Sequence, residues 1–243
     1  MRSSARAEPD PDRKELERLK RVYTRRKDTD FGDRYTHFDP ANLLAIHERA
    51  RVILSILREH GLRPLSGRDI LEVGSGTGFW LREFVHWGAD PERVWGVDVD
   101  PERVGNSRRR TAPGVRVVVG DGTRSPFRDA SFDLVLQATV FSSILRTETR
   151  RALAEEMLRV LKPAGLILSY DMRYRNPENR DVAPLPRAEI MRIFPGCRAR
   201  IRSLTLAPPI ARRVAPISSW VCQLLGAVPP LRTHLMAAIW RAS

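Results

Sequence analysis

Glu72 stands two residues before Gly74, and glycines alternate through Gly74-Ser75-Gly76-Thr77-Gly78. Glycines at that spacing let the backbone turn sharply and approach a ligand without Cβ clashes. A carboxylate beside such a loop attracts a cation and repels a phosphate. Asp98 follows Gly78 by 20 residues, with Val99 next to it. A carboxylate there accepts hydrogen bonds from the hydroxyls of a ribose. Asp121-Gly122 comes next. This pair suits the amino group of a heteroaromatic base, with the Gly122 amide close to the ring.

Two cofactors fit that description in outline, S-adenosylmethionine and a nicotinamide dinucleotide. The dinucleotide fingerprint places its third glycine three residues after the second; here Gly76 and Gly78 are two apart. A pyrophosphate beside Glu72 would meet like charge, whereas an ammonium and a sulfonium would not. The loop therefore reads as a site for S-adenosylmethionine.

These residues need a scaffold that brings several strand ends together. Ile70-Leu71-Glu72-Val73 reads as a central strand, and Phe79 to Trp87 as the helix that follows it. Further strands are expected at Val94–Val99, Val115–Val119, Phe132–Leu136 and Leu166–Tyr170, with helices from Pro101 to about Arg110 and from Glu148 to Leu161. Alternation of strand and helix argues for a parallel sheet covered on both faces, and open sheets of this kind bind ligands at the carboxyl ends of their strands. Asp39-Pro40 and Asp100-Pro101 are helix starts, an N-cap followed by proline. Pro163-Ala164-Gly165 reads as a turn. Domain boundaries follow as an N-terminal helical lid over residues 1–61 and a main domain over 62–243. An insertion at about 207–231 carries Ile210, Val214, Ile217, Val221, Leu224 and Val228 as a helical stripe, expected to pack inward on a main helix started or kinked by Pro216.

The combination of Leu71-Glu-Val-Gly-Ser-Gly-Thr-Gly78, Gly96-Val-Asp98, Gly120-Asp-Gly122, Ser131-Phe-Asp-Leu-Val135 and Arg159-Val-Leu-Lys-Pro-Ala-Gly165 resembles the class I S-adenosylmethionine-dependent methyltransferases. The resemblance implies a Rossmann-like α/β fold: a seven-stranded, mostly parallel sheet with an antiparallel last strand, Thr233 to Trp240, and helices on both faces. It implies Glu72, Gly74, Ser75, Gly76 and Gly78 at the methionine end, Asp98 and Val99 at the ribose, and Asp121 and Gly122 at the adenine. It also implies Gln137 near the transferred methyl. Tyr35, in an aromatic loop from Phe31 to Phe38, is expected to close over the site. Small stand-alone bacterial members that modify glycans or secondary metabolites have similar flanks.

For the acceptor, a hydroxyl needs help with its proton and a carboxylate or phosphate does not. Asp171, at the end of the fifth strand, and His234, at the start of the last, are the residues placed to act as a base. His37 and His47 are weaker alternatives. The readings that stay open are O-methylation of a small molecule or glycan-type acceptor, modification of RNA through basic flanks, and a binding module that only retains the cofactor. The Asn/Asp-Pro-Pro-aromatic motif of amino-methylating nucleic-acid enzymes is replaced by Gln137-Ala138-Thr139-Val140, which disfavours RNA.

The net charge of +13 sits outside the central body. Residues 1–27 carry +5, residues 28–171 carry −1 and residues 172–243 carry +9, and only four of the 42 basic residues are lysine. The basic flanks suit an acidic partner or a peripheral membrane contact, with the 207–231 insertion resting on a lipid surface through Arg212 and Arg213. Cys197 and Cys222 have no metal-ligand spacing, so neither a metal site nor a disulfide framework is expected. With a charged N-terminus and no apolar spanning run, a cytoplasmic protein is expected.

Overall fold

The computed structural model describes residues 11–27, 36–176 and 179–242. The first helix, α1 (Pro11–Lys27), precedes α2 (Pro40–Glu59). Strands and helices then alternate as β1 (Ile70–Val73), α3 (Phe79–His86), β2 (Val94–Asp98), α4 (Pro101–Arg110), β3 (Arg116–Val119) and β4 (Phe132–Ala138). The second half runs through α5 (Thr147–Val160), β5 (Leu161–Met172), α6 (Arg187–Ile193) and β6 (Cys197–Leu206). It ends with α7 (Pro208–Val214), α8 (Ser219–Gly226) and β7 (Arg232–Arg241). The sheet order is β3-β2-β1-β4-β5-β7-β6. The first five strands pair in parallel, and β7 is antiparallel to both β5 and β6. This is the expected Rossmann-like sheet.

Strand periodicity divides the core in two. Leu71, Val73, Val135, Ile167 and Ala237 face α5 and α6, where they meet Leu153, Met157, Ile190 and Ile193. Ile70, Leu134, Leu136, Leu168 and Ala238 face α2, α3 and α4, where they meet Ile53, Ile56, Leu57, Trp80, Leu81 and Phe84. Thus α2 is a layer of the body, although it falls inside the segment 1–61 that the sequence reads as a lid. Of the described N-terminal residues, α1 takes the covering position: Leu19 is buried on the α5 face, while Arg18 donates to the Ser143 carbonyl and Glu15 accepts from the Leu145 amide.

Two expectations differ in detail. Pro163-Ala164-Gly165 does not interrupt β5; it bulges, so that Leu161 pairs with Phe132 and Leu166 with Leu134. Gly165 stays because a Cβ there would lie 2.7 Å from a Leu161 methyl carbon. The 207–231 insertion is two short helices, α7 and α8, and not one stripe-bearing helix. Pro216 lies between them, and Ser218 caps the second by accepting from the Val221 amide. The buried side of the pair is Ala211, Ala215 and Cys222, while Ile217, Val221, Leu224 and Val228 are exposed.

Helix α2 also walls a cavity described below, and its start is fixed by Asp39, whose carboxylate accepts from Asn42 N at 2.8 Å. Asp39→Ala is expected to cost about 1 kcal/mol of stability, read as a lower urea midpoint with an unchanged slope.

Candidate functional site

The carboxyl ends of β1, β2, β3, β4 and β5 converge on one cavity of about 1130 Å³. It is lined by Val73 and Gly74, by Asp98 and Val99, by Asp121 and Gly122, by Ala138 to Val140 and by Met172. Leu16 and Leu19 of α1 close one side, and Tyr174, Arg175 and Asn176, beyond β5, another. The crossover rules of an open parallel sheet require this convergence.

Asp98 is buried, and both of its oxygens are engaged. Oδ2 accepts from Gly76 N at 2.8 Å and Oδ1 from Asp100 N at 2.9 Å. One carboxylate therefore ties the glycine loop to the start of α4. Val97 O reinforces the join by accepting from Gly74 N and Ser75 N. The loop glycines have φ of +70°, +54° and +76° at Gly74, Gly76 and Gly78. Space is short as well as conformation: a Cβ on Gly76 would lie 2.5 Å from the Arg103 guanidinium, and one on Gly78 would lie 2.3 Å from Ser107 Oγ.

Glu72 lies beneath this loop on the α3 side of the sheet. It does not line the cavity, and neither do Ser75, Gly76 or Gly78. Burial, followed by the Asp98 carboxylate, pushes the Glu72 carboxyl well above the usual range, while the Leu81 amide and the Arg103 and Arg82 guanidinium groups oppose the shift. Its Oε2 is buried without a hydrogen-bond partner. An orphaned buried carboxylate oxygen under a glycine loop suits a donor-bearing cationic ligand. Asp121 lines the cavity with Oδ1 accepting from the Thr123 amide and hydroxyl, both at 2.8 Å. Asp98 and Asp121 line the cavity and Glu72 lies under the loop, a set of carboxylates that fits S-adenosylmethionine; Arg103, Arg175 and Arg212 line other parts of the wall.

Gln137 and Asp171 occupy places other than the cavity wall expected of them. Both point to the α5 face, as the two-residue period of β4 and β5 requires. Gln137 Nε2 donates to Ser169 Oγ at 2.6 Å, and its Oε1 accepts from Val140 N at 2.9 Å. Asp171 accepts from Ser142 N at 3.1 Å and Met172 N at 3.0 Å. Burial raises the Asp171 pKa to about 6, opposed by those hydrogen bonds with Ser142 and Met172. The two side chains brace the loop from Thr139 to Ile144, and that loop does line the cavity. Tyr35 lies outside the described residues.

His234 sits where the antiparallel direction of β7 puts it, at the cavity edge. Its ring stacks on Tyr170 with centroids 4.9 Å apart and planes 5° from parallel, and Nδ1 is 3.0 Å from Thr233 Oγ1. Burial, then the Arg49 charge, lowers its pKa to about 3. The imidazole is neutral at any ordinary assay pH. A second cavity of about 840 Å³ lies on the α2 face, bounded by Leu44, Arg49, Tyr170, Leu206, Ala211 and Cys222. His47 is at its exposed rim. Thr139, Pro208, Arg212 and His234 line both cavities, so His234 stands at their junction.

Sequence reasoning missed Thr139. It has φ of +61°, a left-handed conformation that is a true outlier for a β-branched residue. Its amide is held by Tyr170 O at 2.7 Å, and its Oγ1 donates to Ala138 O at 2.7 Å. Strain of this kind costs on the order of 1–3 kcal/mol and gathers at functional sites. No feature of residue type betrays it. Arg103 and Arg175 were missed for a different reason, because a surface arginine on a helix or loop looks the same in sequence whether or not a cavity lies beside it. Among the described residues no cluster of side chains has metal-ligand composition.

Residues 70–165 match a family model described as a methyltransferase domain. An "Uncharacterized methyltransferase" of Mycobacterium sp. (strain KMS) is 31% identical over 140 residues, which covers 56% of this chain and 53% of that protein. The phthiotriol/phenolphthiotriol dimycocerosates methyltransferase 1 of Mycobacterium ulcerans (strain Agy99) is 37% identical over 116 residues, 46% of this chain and 40% of that protein. The chain thus spans about half the length, or less, of these curated relatives. A solved S-adenosylmethionine-dependent methyltransferase from Aquifex aeolicus superposes with a TM-score of 0.55 over 92% of this chain and 97% of that one, at 19% identity. That last likeness concerns the fold.

Asp98→Ala removes two acceptors from buried amides. It is expected to cost about 1–3 kcal/mol in stability and to weaken S-adenosylmethionine binding by at least tenfold in calorimetry; unchanged affinity would take Asp98 out of the site. For His234, the unfolded state binds a proton below its ordinary pKa of 6.5 while the folded state waits until about 3. Its contribution to stability is therefore present above pH 6.5 and is lost as pH falls toward 3. Asp171 works oppositely, losing stability as pH rises from its ordinary 3.8 to about 6. In His234→Phe, urea unfolding between pH 6.5 and pH 4 should show a smaller acid-side loss than in the wild type.

Proposed function

We propose that this chain, whose residues 70–165 match a methyltransferase-domain model, is a class I S-adenosylmethionine-dependent methyltransferase that methylates a hydroxyl oxygen on a small acceptor with an apolar body. The observation that carries this reading is the meeting of two unlike cavities at Thr139 and His234. One has the carboxylates and glycines suited to the cofactor. The other has an apolar stretch at Leu44, Leu206, Ala211 and the Tyr170 ring, beside Glu48 and the arginines Arg49, Arg51, Arg212 and Arg232. S-adenosylmethionine, when bound, supplies a methyl group already activated on a sulfonium. What remains for the protein is to orient the acceptor and to exclude water.

Asp98 and Asp121 would hold the ribose and the base, and the buried Glu72 would face the cationic end through the loop above it. Val140 and Ala138 would close the floor beside Gly74. At the junction, His234 is neutral and can accept a hydrogen bond from the acceptor hydroxyl. A pKa of about 3 makes it a weak base, so it orients the hydroxyl and does not store its proton. Such a site favours hydroxyls that are themselves acidic, phenols and enols above alkanols. Asp171, fully engaged with the Ser142 loop, acts on the site by positioning that loop. The name of the Mycobacterium ulcerans relative, a methyltransferase of phthiotriol and phenolphthiotriol dimycocerosates, supports an acceptor with a large apolar part.

A methyl-transfer screen with labelled S-adenosylmethionine tests this. Phenols bearing apolar substituents should turn over, and carboxylates, phosphates and RNA should not. In His234→Ala, kcat/KM for the phenol should fall by about 10–100-fold while calorimetric cofactor affinity holds. Methylation of RNA or of a carboxylate in place of the phenol would overturn the reading.

A further inference from the structure

The second part of the apolar stripe of the 207–231 insertion, from Ile217 on, is turned outward, while Ile210 and Val214 pack inward. Ile217 is 86% exposed, Trp220 71% and Leu224 54%. With Val221 they recur at the spacing of one helix face. The inward side of α7 and α8 is Ala211, Ala215 and Cys222 against Ala41 and Leu206, with Ile210, Val214 and Leu225 packed partly against them; Ile217, Trp220, Val221 and Leu224 are left to the surface. A face of this kind marks an interaction site.

Its charge pattern specifies the partner. Val214 to Leu231 contains no charged residue, and arginines stand at both ends, Arg212 and Arg213 before it and Arg232 after it. Arg213 is exposed. The chain from Met172 onward carries +9. An uncharged apolar face with a tryptophan, beside the exposed Arg213, complements an anionic lipid surface: the apolar groups enter the acyl boundary and the Arg213 guanidinium meets the headgroups, while Arg212 lines the cavities and Arg232 donates inward to the Gly226 and Ser203 carbonyls. No helix of the described residues is long and apolar enough to cross a membrane.

The face also adjoins the acceptor cavity. Ala211, Arg212 and Cys222 of these helices line it from within, while Ile217, Trp220 and Leu224 point out. We propose that α7 and α8 rest on an anionic bilayer and that the acceptor passes from the bilayer into the cavity behind them. The surface contact stands on its own observations; the route of the acceptor rests on the reading of the preceding section.

Flotation with vesicles tests it, using the full chain, phosphatidylcholine alone and phosphatidylcholine with about 30 mol% phosphatidylglycerol. The wild type should float with the anionic vesicles and at least about tenfold less with the neutral ones. The variant carrying Ile217→Asp and Trp220→Asp should lose that binding by about tenfold or more. It should keep its melting temperature, its calorimetric cofactor affinity and its turnover of a short, water-soluble phenol. Arg213→Glu should weaken binding to anionic vesicles only. Failure of the wild type to bind either vesicle would overturn the proposal, as would undiminished binding by the double variant. A wild-type dimer that the double variant abolishes, without vesicle binding, would assign the face to a second copy and also overturn it. If vesicle binding fails while phenol methylation persists, only this inference falls; if phenols are not methylated but flotation behaves as stated, only the acceptor reading falls.

Discussion

The site depends first on the Asp98 carboxylate. It is buried, and it accepts from two backbone amides that belong to different segments, Gly76 in the loop after β1 and Asp100 before α4. A charged acceptor bonded to two buried amides gives stronger hydrogen bonds than a neutral one. The glycine loop is thereby held against β2, and Arg103 and Ser107 of α4 are brought onto Gly76 and Gly78. The glycines are required by those protein neighbours as much as by any ligand. Gly74 alone of the three forms cavity wall, so the loop shapes the cavity chiefly by where it places its neighbours.

Fixing the loop creates an electrostatic problem that the fold leaves open. Glu72 and Asp98 are both buried, and burial followed by the Asp98 charge makes ionisation of Glu72 less favourable; Glu72 retains an oxygen without a partner. Arg82 and Arg103 offset part of this. A cationic ligand above the loop would offset more, and a phosphate would add to the cost. The discrimination between cofactors made from the one-residue difference in glycine spacing therefore has a counterpart in the buried charge of the structure.

The parts legible in sequence were those set by strong periodicity and by caps. β1, α3, β2, α4 and the Asp39-Pro40 start of α2 lie within a residue or two of where spacing puts them. The antiparallel β7 came from family resemblance, and with it the position of His234. Less legible was which way a polar residue at a strand end points. Gln137 and Asp171 lie at the right height in the sheet but on the α5 face, where their hydrogen bonds serve the Val140–Ser142 turn. Thr139 was invisible because its conformation, and not its chemistry, singles it out. In the 207–231 insertion, regular spacing suggested one inward face, but Pro216 divides the segment: Ile210 and Val214 pack inward as expected, whereas beyond Pro216 Cys222 makes the contact and the stripe residues are exposed.

That division between carboxyl ends and faces gives the molecule its order. Side chains on the α3 and α5 faces hold loops; backbone and side chains at the strand ends line space. The loop from Thr139 to Leu145 is held from several directions: by Tyr170 O, by Gln137, by Asp171 and by Glu15 and Arg18 of α1. A left-handed threonine survives there because these restraints outweigh its local preference. Thr139 lies at the junction of the two cavities, opposite the imidazole that burial keeps neutral. The geometry of a loop that borders both cavities is thus imposed in part by Gln137 and Asp171, which line neither of them.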